Sequence, residues 1–320
     1  MAAGVSGLRT ALASVTASAW EGRRRLYEWG VLRPERMSTR VVSVGNLTVG
    51  GTGKTTLVLH LARMLRDAGT EAAVVTRRYR PGPGGRGDEE LLYRDAVGPE
   101  RTFAGTNKRE LARAASRSGT AMVLVDDGFS HWGLERDLDI LLLDRTDLWG
   151  GGRLLPAGRL REPLVALQRA GVVVISRLGP DEDPAPWIAE VQRRAPAAWV
   201  AAARHEPAGV RSLAGDAHTP SGPARVLTAT GNPGAVERSA REAGFEPVTL
   251  AAYRDHHWFS RAEAEREHRA AGTGTLLLTS KDAVRWPAGA PRERVAVLHT
   301  RWRWLAGGDE AERRVRGEAP

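Results

Sequence analysis

The chain has no cysteine among its 320 residues. Disulfides, thiolate metal sites and a thiol nucleophile are therefore excluded, an absence consistent with a reducing compartment. No uninterrupted apolar run reaches the roughly 18 residues of a membrane-spanning helix. Lysine is scarce: very few of the 47 basic residues are Lys, so arginine carries most of the positive charge. Internal repeats are missing too. What is present is an ordinary globular balance, 42% hydrophobic and 27% charged, which excludes a disordered or fibrous chain and can fill a sizeable core. The net charge of +9 and a pI near 10.7 point to an anionic partner: nucleic acid, a phosphorylated substrate or an acidic membrane surface. No helix-turn-helix, zinc or RNA-recognition signature accompanies that charge, so no nucleic-acid partner is expected.

The first 30 residues form a candidate membrane-facing helix. Val5, Leu8, Leu12, Val15 and Ala19 recur at helical spacing, with Ser6, Arg9, Thr10 and Ser14 elsewhere on the wheel. Trp20, Arg23, Arg24, Arg25, Tyr27 and Trp29 follow, an aromatic and basic mixture suited to lipid headgroups. Arg9 and the Ser and Thr residues argue against a secretory signal. Packing of the same stripe on the protein's own core is the competing reading.

From residue 40 short β-branched runs alternate with helical stretches. Strands are expected at Arg40–Val44, Ala72–Thr76, Ala121–Asp126, Asp139–Asp144 and Gly171–Ser176, with helices over Lys54–Ala68, Lys108–Ser118 and Glu162–Ala170. Nearly continuous Val, Ile and Leu runs fit parallel strands buried on both faces. The fold class is α/β, a mostly parallel sheet over 31–180. A Pro-rich stretch at Gly179–Pro186 then leads to a second, smaller α/β lobe over 181–305. Residues 306–320 read as a polar tail, and the Gly-rich segment 80–88 as a mobile loop.

The strongest local signal is Val41-Val42-Ser43-Val44 followed by Gly45-Asn46-Leu47-Thr48-Val49-Gly50-Gly51-Thr52-Gly53-Lys54-Thr55-Thr56. A strand, a glycine-rich turn and a helix let backbone N–H groups converge on phosphate oxygens at the positive helix end. Gly50, Gly51, Thr52, Gly53, Lys54, Thr55 and Thr56 are the candidate nucleotide-binding residues, Lys54 reaching the β- and γ-phosphates and Thr55 offering its hydroxyl to Mg²⁺. The first glycine of the usual P-loop pattern is replaced by Thr48. Met122-Val123-Leu124-Val125-Asp126-Asp127-Gly128 supplies a strand ending in carboxylates, so Asp126 and Asp127 are the other candidate Mg²⁺ ligands. A P-loop core binding a nucleoside triphosphate with Mg²⁺ follows. Asn107-Lys108-Arg109-Glu110 and Thr279-Ser280-Lys281-Asp282 do not make a guanine reader. Val49 stands where partitioning-type ATPases carry a second lysine.

These motifs resemble, in order and over about residues 15 to 300, the tetraacyldisaccharide 4'-kinase family of lipid A biosynthesis. The phosphate loop looks like the family's own, including the missing first glycine. Asp126-Asp127-Gly128-Phe129-Ser130-His131 is similar to its Asp-Asp-Gly-Phe-Gln-His, and Leu155-Pro156-Ala157-Gly158-Arg159-Leu160-Arg161-Glu162-Pro163 to its Leu-Pro-x-Gly-x-Leu-Arg-Glu-Pro. Asp255-His256-His257 and Leu278-Thr279-Ser280-Lys281-Asp282-Ala283-Val284 resemble two later motifs.

The resemblance implies transfer of the γ-phosphoryl group of ATP to the 4'-hydroxyl of tetraacyldisaccharide 1-phosphate by a peripheral protein of the inner membrane's cytoplasmic face. It implies Asp88 as base, from a Gly-Asp-Glu-Pro motif, His256 as its assistant and Lys54 at the phosphates. Arg77, Arg161 and Glu162 would contact the substrate. The sequence departs from the family pattern at Arg78 and Arg80, which replace glycines, at Glu90, which replaces proline, and at Ser130, which replaces glutamine. Two alternatives therefore stand beside the kinase: a P-loop switch ATPase acting on a protein partner, and a divergent kinase fold with reduced activity.

Overall fold

A computed structural model describes residues 2–318, with side chains from residue 7 onward. Val5 and Ser6 of the N-terminal stripe, and the last two residues of the tail, lie outside that description. The chain opens with α1 (Ala2–Glu28), β1 (Arg40–Asn46), α2 (Lys54–Asp67), β2 (Ala72–Arg77), α3 (Asp88–Val97), β3 (Thr102–Gly105), α4 (Lys108–Arg117) and β4 (Met122–Asp126). It continues through β5 (Leu138–Asp144), β6 (Val172–Ser176), α5 (Ala185–Arg194), β7 (Trp199–Ser212), β8 (Ala217–His218), β9 (Ala224–Thr228) and α6 (Pro233–Glu242). It ends with β10 (Val248–Ala252), α7 (Arg261–Ala270), β11 (Thr275–Thr279), α8 (Ser280–Ala283), β12 (Val295–Ala306) and α9 (Gly308–Arg316).

Two compact units result. The first holds residues 1–77, 97–204 and 303–320, and the second holds 78–96 and 205–302. In the first, seven parallel strands run in the order β3-β2-β4-β1-β5-β6-β7. The apolar runs are buried on both faces, as continuous Val, Ile and Leu strands require. Helix α2 buries Leu57, Val58, Leu61, Ala62 and Leu65, the i, i+1, i+4 stripe of an amphipathic helix. In the second unit four parallel strands run β10-β9-β11-β12, and Phe245, Val226 and Leu277 pack in one of its cores.

The division differs from the sequence-based one at three places. The second unit begins near residue 205 rather than 181, because the first part of β7 pairs with β6 from Val172↔Trp199 to Ile175↔Ala202 and so extends the first sheet. Segment 78–96 also belongs to the second unit. The supposed polar tail forms β12's end and α9, which buries Ala311 and Val315 one turn apart. Arg40 donates to the carbonyls of Arg314 (2.8 Å) and Val315 (3.0 Å), satisfying groups that a helix end leaves open.

Smaller corrections follow the same logic. Residues 164–169 form a 3₁₀ segment after Pro163 rather than an α-helix, with Ala166 and Ala170 bonded three residues back. Segment 80–88 is a turn in which Gly82 N donates to Arg86 O, and Gly82 lies against the Trp258 indole with no room for a Cβ. Strand β3 has no counterpart in the sequence-based reading; its four residues are too short to show a period.

Helix α1 is fastened at its C-terminal half. Trp20 Nε1 donates to Glu162 Oε2 (2.8 Å), and Trp20 and Tyr27 pack on Trp132 at 5.8 and 5.5 Å. Its apolar stripe remains open: Leu8 is 62% exposed and Val15 64%, and Trp29 just after the helix is 70% exposed. The stripe therefore does not pack on the protein's own core. Among the described residues, no helix is long and apolar enough to cross a membrane.

Candidate active site

The first constellation grows from the end of β1. Register pairs Val44 with Asp126, so a carboxylate stands beside the strand that enters the glycine-rich turn. Gly53 caps α2 at φ 96°, a left-handed conformation that a Cβ disfavours. The turn is held by its carbonyls: Arg159 donates to Val49 O (3.0 Å), Ser176 Oγ to Thr52 O (3.0 Å), and Arg177 to Gly51 O. Gly50, Gly51, Thr52 and Gly53 thus form the turn, and Lys54, Thr55 and Thr56 open α2.

Lys54 Nζ donates to Asn46 Oδ1 (3.0 Å) and lies 3.7 Å from Asp127 Oδ1. Arg161 grips the same carboxylate with two bonds, 2.7 Å to Oδ1 and 3.0 Å to Oδ2, and also donates to Asn46 O (2.8 Å). Burial opposes the Asp127 charge, but the Arg161 hydrogen bonds and the Lys54, Arg161 and Lys108 charges hold its carboxyl far below the usual carboxylate range. Asp126 is buried and accepts from Thr76 Oγ1 (3.3 Å). Gly128 is required next to it, since a Cβ there would meet Ser43 Cβ at 2.7 Å.

Lys108 was weighed in the sequence only as part of a failed guanine signature. It is buried, and its ammonium donates to the backbone carbonyls of Asp126 (2.7 Å) and Asp127. Burial pushes its pKa down against the opposite pull of both carboxylates. These bonds pin a backbone in which Asp127 has φ 51°, a left-handed conformation uncommon outside glycine. Glu162 is buried too, its Oε2 shared by Trp20 and Arg169 (2.8 Å). Its Oε1 is buried with no hydrogen-bond partner among the described residues. Arg161, expected at the substrate, therefore joins the phosphate-loop network, whereas Glu162 next to it, also expected there, bonds Trp20 and Arg169. Arg77 stands exposed at the end of β2 and joins neither network among the described contacts.

The second constellation lies within the second unit. Asp88, 2% exposed, opens α3, and both its carboxylate oxygens are 3.0 Å from His256 Nδ1. His256 sits at φ 60° with its N–H on Ala229 O (3.1 Å), and the Tyr79 ring meets its edge at 5.2 Å. Lys281 Nζ is 3.7 Å from Asp88 Oδ2 and 3.2 Å from Glu89 Oε1, and Arg285 Nη1 is 3.5 Å from Asp88 Oδ2. Burial raises the Asp88 pKa, but the His256 hydrogen bond, then Lys281 and Arg285, outweigh it and bring the group down to about 2. Lys281 and Arg285 carried no role in the sequence reading. The signal for Lys281 was the Thr-Ser-Lys-Asp-Ala-Val motif, recognised there without a function, and Arg285 is the residue just beyond it.

A protein-family model described as tetraacyldisaccharide-1-P 4'-kinase matches residues 7–316. The chain is 33% identical over 325 residues to the tetraacyldisaccharide 4'-kinase of Anaeromyxobacter sp. (strain K), covering 91% of this chain and 84% of that one. It is 35% identical over 289 residues to the enzyme of the same name from Geobacter metallireducens, covering 82% and 83%. The chain belongs to the tetraacyldisaccharide 4'-kinase family. A solved structure of LpxK from Aquifex aeolicus in complex with ATP has the same fold, with a TM-score of 0.72, 22% identity and 96% of each chain covered.

The departures of this 4'-kinase from the family pattern acquire a structural account. Arg78, in place of glycine, and Glu90, in place of proline, meet each other: Arg78 Nε donates to the buried Glu90 carboxylate at 2.9 Å. The two changes compensate, and the pair keeps the buried Glu90 charge neutralised. Arg80 occupies the second glycine position at φ 42°, a left-handed backbone adopted here without glycine. Trp258 Nε1 donates to Arg80 O (2.9 Å), and the Arg80 guanidinium to Asp255 O (3.4 Å), which hold that conformation. Ser130 Oγ is buried with no partner among the described residues, and nothing in the structure explains the exchange for glutamine.

Proposed function

We infer that this 4'-kinase transfers the γ-phosphoryl group of ATP to the 4'-hydroxyl of tetraacyldisaccharide 1-phosphate, a step of lipid A biosynthesis. The family match over residues 7–316 carries the reading and removes the ground of the switch-ATPase alternative. In the mechanism, the turn from Gly50 to Gly53 and the α2 N-terminus receive the phosphates, and Lys54 balances their charge. Arg161, bidentate on Asp127, would exchange that partner for a phosphate oxygen, a geometry a guanidinium fork matches. The Asp88–His256 pair takes the proton of the acceptor hydroxyl as phosphorus–oxygen bond formation proceeds.

Mg²⁺ fits the residues present: Asp126, Asp127 and the Thr55 hydroxyl would hold it, hard oxygen donors at the end of β4 and the start of α2. When bound, Mg²⁺ neutralises charge on the β- and γ-phosphate oxygens.

The open Leu8, Leu12, Val15 and Leu26 stripe of α1, with Trp29 just after it and exposed Arg9, Arg23 and Arg25 beside it, supports a peripheral position on an anionic bilayer, at the cytoplasmic face of the inner membrane. Leu8→Ser with Leu12→Ser and Val15→Ser is expected to abolish co-sedimentation with phosphatidylglycerol vesicles; unchanged binding overturns that position. The activity itself is tested by phosphate transfer from γ-labelled ATP to tetraacyldisaccharide 1-phosphate in detergent micelles. Labelled bisphosphate is expected, and ATP binding without product would refute the kinase.

A further inference from the structure

The chain contains only three lysines, Lys54, Lys108 and Lys281, although it carries 47 basic residues. Where a surface asks for positive charge this protein uses arginine. Lysine remains at the phosphate loop, beneath the β4 carboxylates and against Asp88. A compact ammonium on a flexible stem fits where a planar guanidinium fork does not. The first two have roles in the nucleotide site, and Lys281 has none assigned.

Its surroundings are built for it. Asp282, fully buried, accepts from Ala229 N (2.9 Å), Thr279 Oγ1 (2.6 Å) and Arg285 Nη2 (2.7 Å). That anchor fixes the turn carrying Lys281 and aims Arg285 at Asp88. Arg285 Nη1 donates to Ala229 O (3.0 Å), the carbonyl that also receives the His256 N–H, so one backbone atom registers both groups. The charged and titratable groups facing the pair are Glu89 from α3, Tyr79 from the preceding turn, Asp255 beside His256, and Lys281, Asp282 and Arg285.

We propose that Lys281, backed by Arg285, is a positioning residue that keeps Asp88 an anion throughout turnover, so that the proton released by the acceptor hydroxyl comes to rest on His256. The hydroxyl O–H bond breaks as its oxygen bonds to the γ-phosphorus and the bond to the ADP oxygen breaks. The proton adds to a ring nitrogen of neutral His256, giving an imidazolium paired with the Asp88 carboxylate, and ADP leaves with the electron pair of the broken bond. Asp88 then orients and stabilises the imidazolium without itself becoming protonated. This inference rests on the Asp88–His256 reading of the site.

The test is the pH dependence of kcat at saturating ATP and glycolipid. Lys281→Met removes a cation beside the pair and favours its protonation, so the acidic limb of the profile moves up by about one pH unit. Lys281→Arg keeps the charge, and its limb stays in place even if kcat falls. Glu89→Gln removes an anion from the other side of Lys281 and moves the limb down. These opposite displacements are not expected of residues that merely support the fold, and Glu89→Gln carries the test even if Lys281→Met fails to fold. Profiles that fall uniformly without moving, or that move in one direction for both variants, overturn the role of Lys281. Full activity in Asp88→Asn would instead overturn the site reading itself.

Discussion

The phosphate loop draws its residues from one run, Gly50 to Thr56, whereas the Asp88 cluster draws on positions 79, 88–89, 255–256 and 281–285. Both hold a carboxylate in its charged form, Asp127 about 40% exposed and Asp88 buried. In the first unit Asp127 is balanced by Arg161, Lys54 and Lys108; in the second, Asp88 is balanced by His256, Lys281 and Arg285. The first set sits close to strand ends whose register is set by a sheet. The second depends on loops and on Asp282, whose side chain links β9's exit to α8. A contiguous motif buries its specificity in backbone shape; a dispersed one buries it in charge pairing.

The largest expected effects probe that division. Lys54→Ala is expected to lower kcat about a thousand-fold and to weaken ATP binding as well. Asp88→Asn is expected to lower kcat about a hundred-fold while leaving the ATP Kd within about twofold. Titration calorimetry beside the transfer assay separates the two. An Asp88 variant that lost ATP binding in proportion to turnover would break the comparison.

A middle-sized effect appears in acid. The folded Asp88 pKa of about 2 lies below its unfolded value, so its charge contributes stability that is full above about pH 4 and lost as pH falls through about 2. The contribution is about 2 kcal/mol. Urea unfolding of wild type and Asp88→Asn should therefore show a gap that narrows by about that amount between about pH 5 and about pH 2. A constant gap would mean that His256, Lys281 and Arg285 do not hold the carboxylate ionised.

The smallest effect sharpens the contrast from the other side, because the contiguous site also has a distant support. Trp20→Phe keeps the ring against Trp132 and loses only the bond to Glu162. A loss of about 1 kcal/mol is expected in the unfolding free energy of the first unit. No loss would show that Arg169 alone suffices for Glu162.

Legibility in the sequence followed the same divide. The strands from Arg40, Ala72, Met122, Leu138 and Val172 were readable because buried parallel strands are continuous apolar runs. Asp88 and His256 were reachable only through the family pattern, since Gly87-Asp88-Glu89-Glu90 looks like a solvated acidic turn. Lys108 and Lys281 left no local trace of their partners. Helix α9 was missed because two apolar residues, Ala311 and Val315, carry its contact in an otherwise charged segment.

By itself the sequence determined the α/β class, the phosphate loop and the carboxylates that follow β4, because each is encoded within a few residues by periodicity or backbone shape. Tertiary structure alone decided that Asp88 is buried against His256, that Lys281 and Arg285 stand beside it, and that Arg78 and Glu90 pair with one another. Charge pairing acts through space over a few ångströms, and the chain segments that bring such groups together are far apart in sequence.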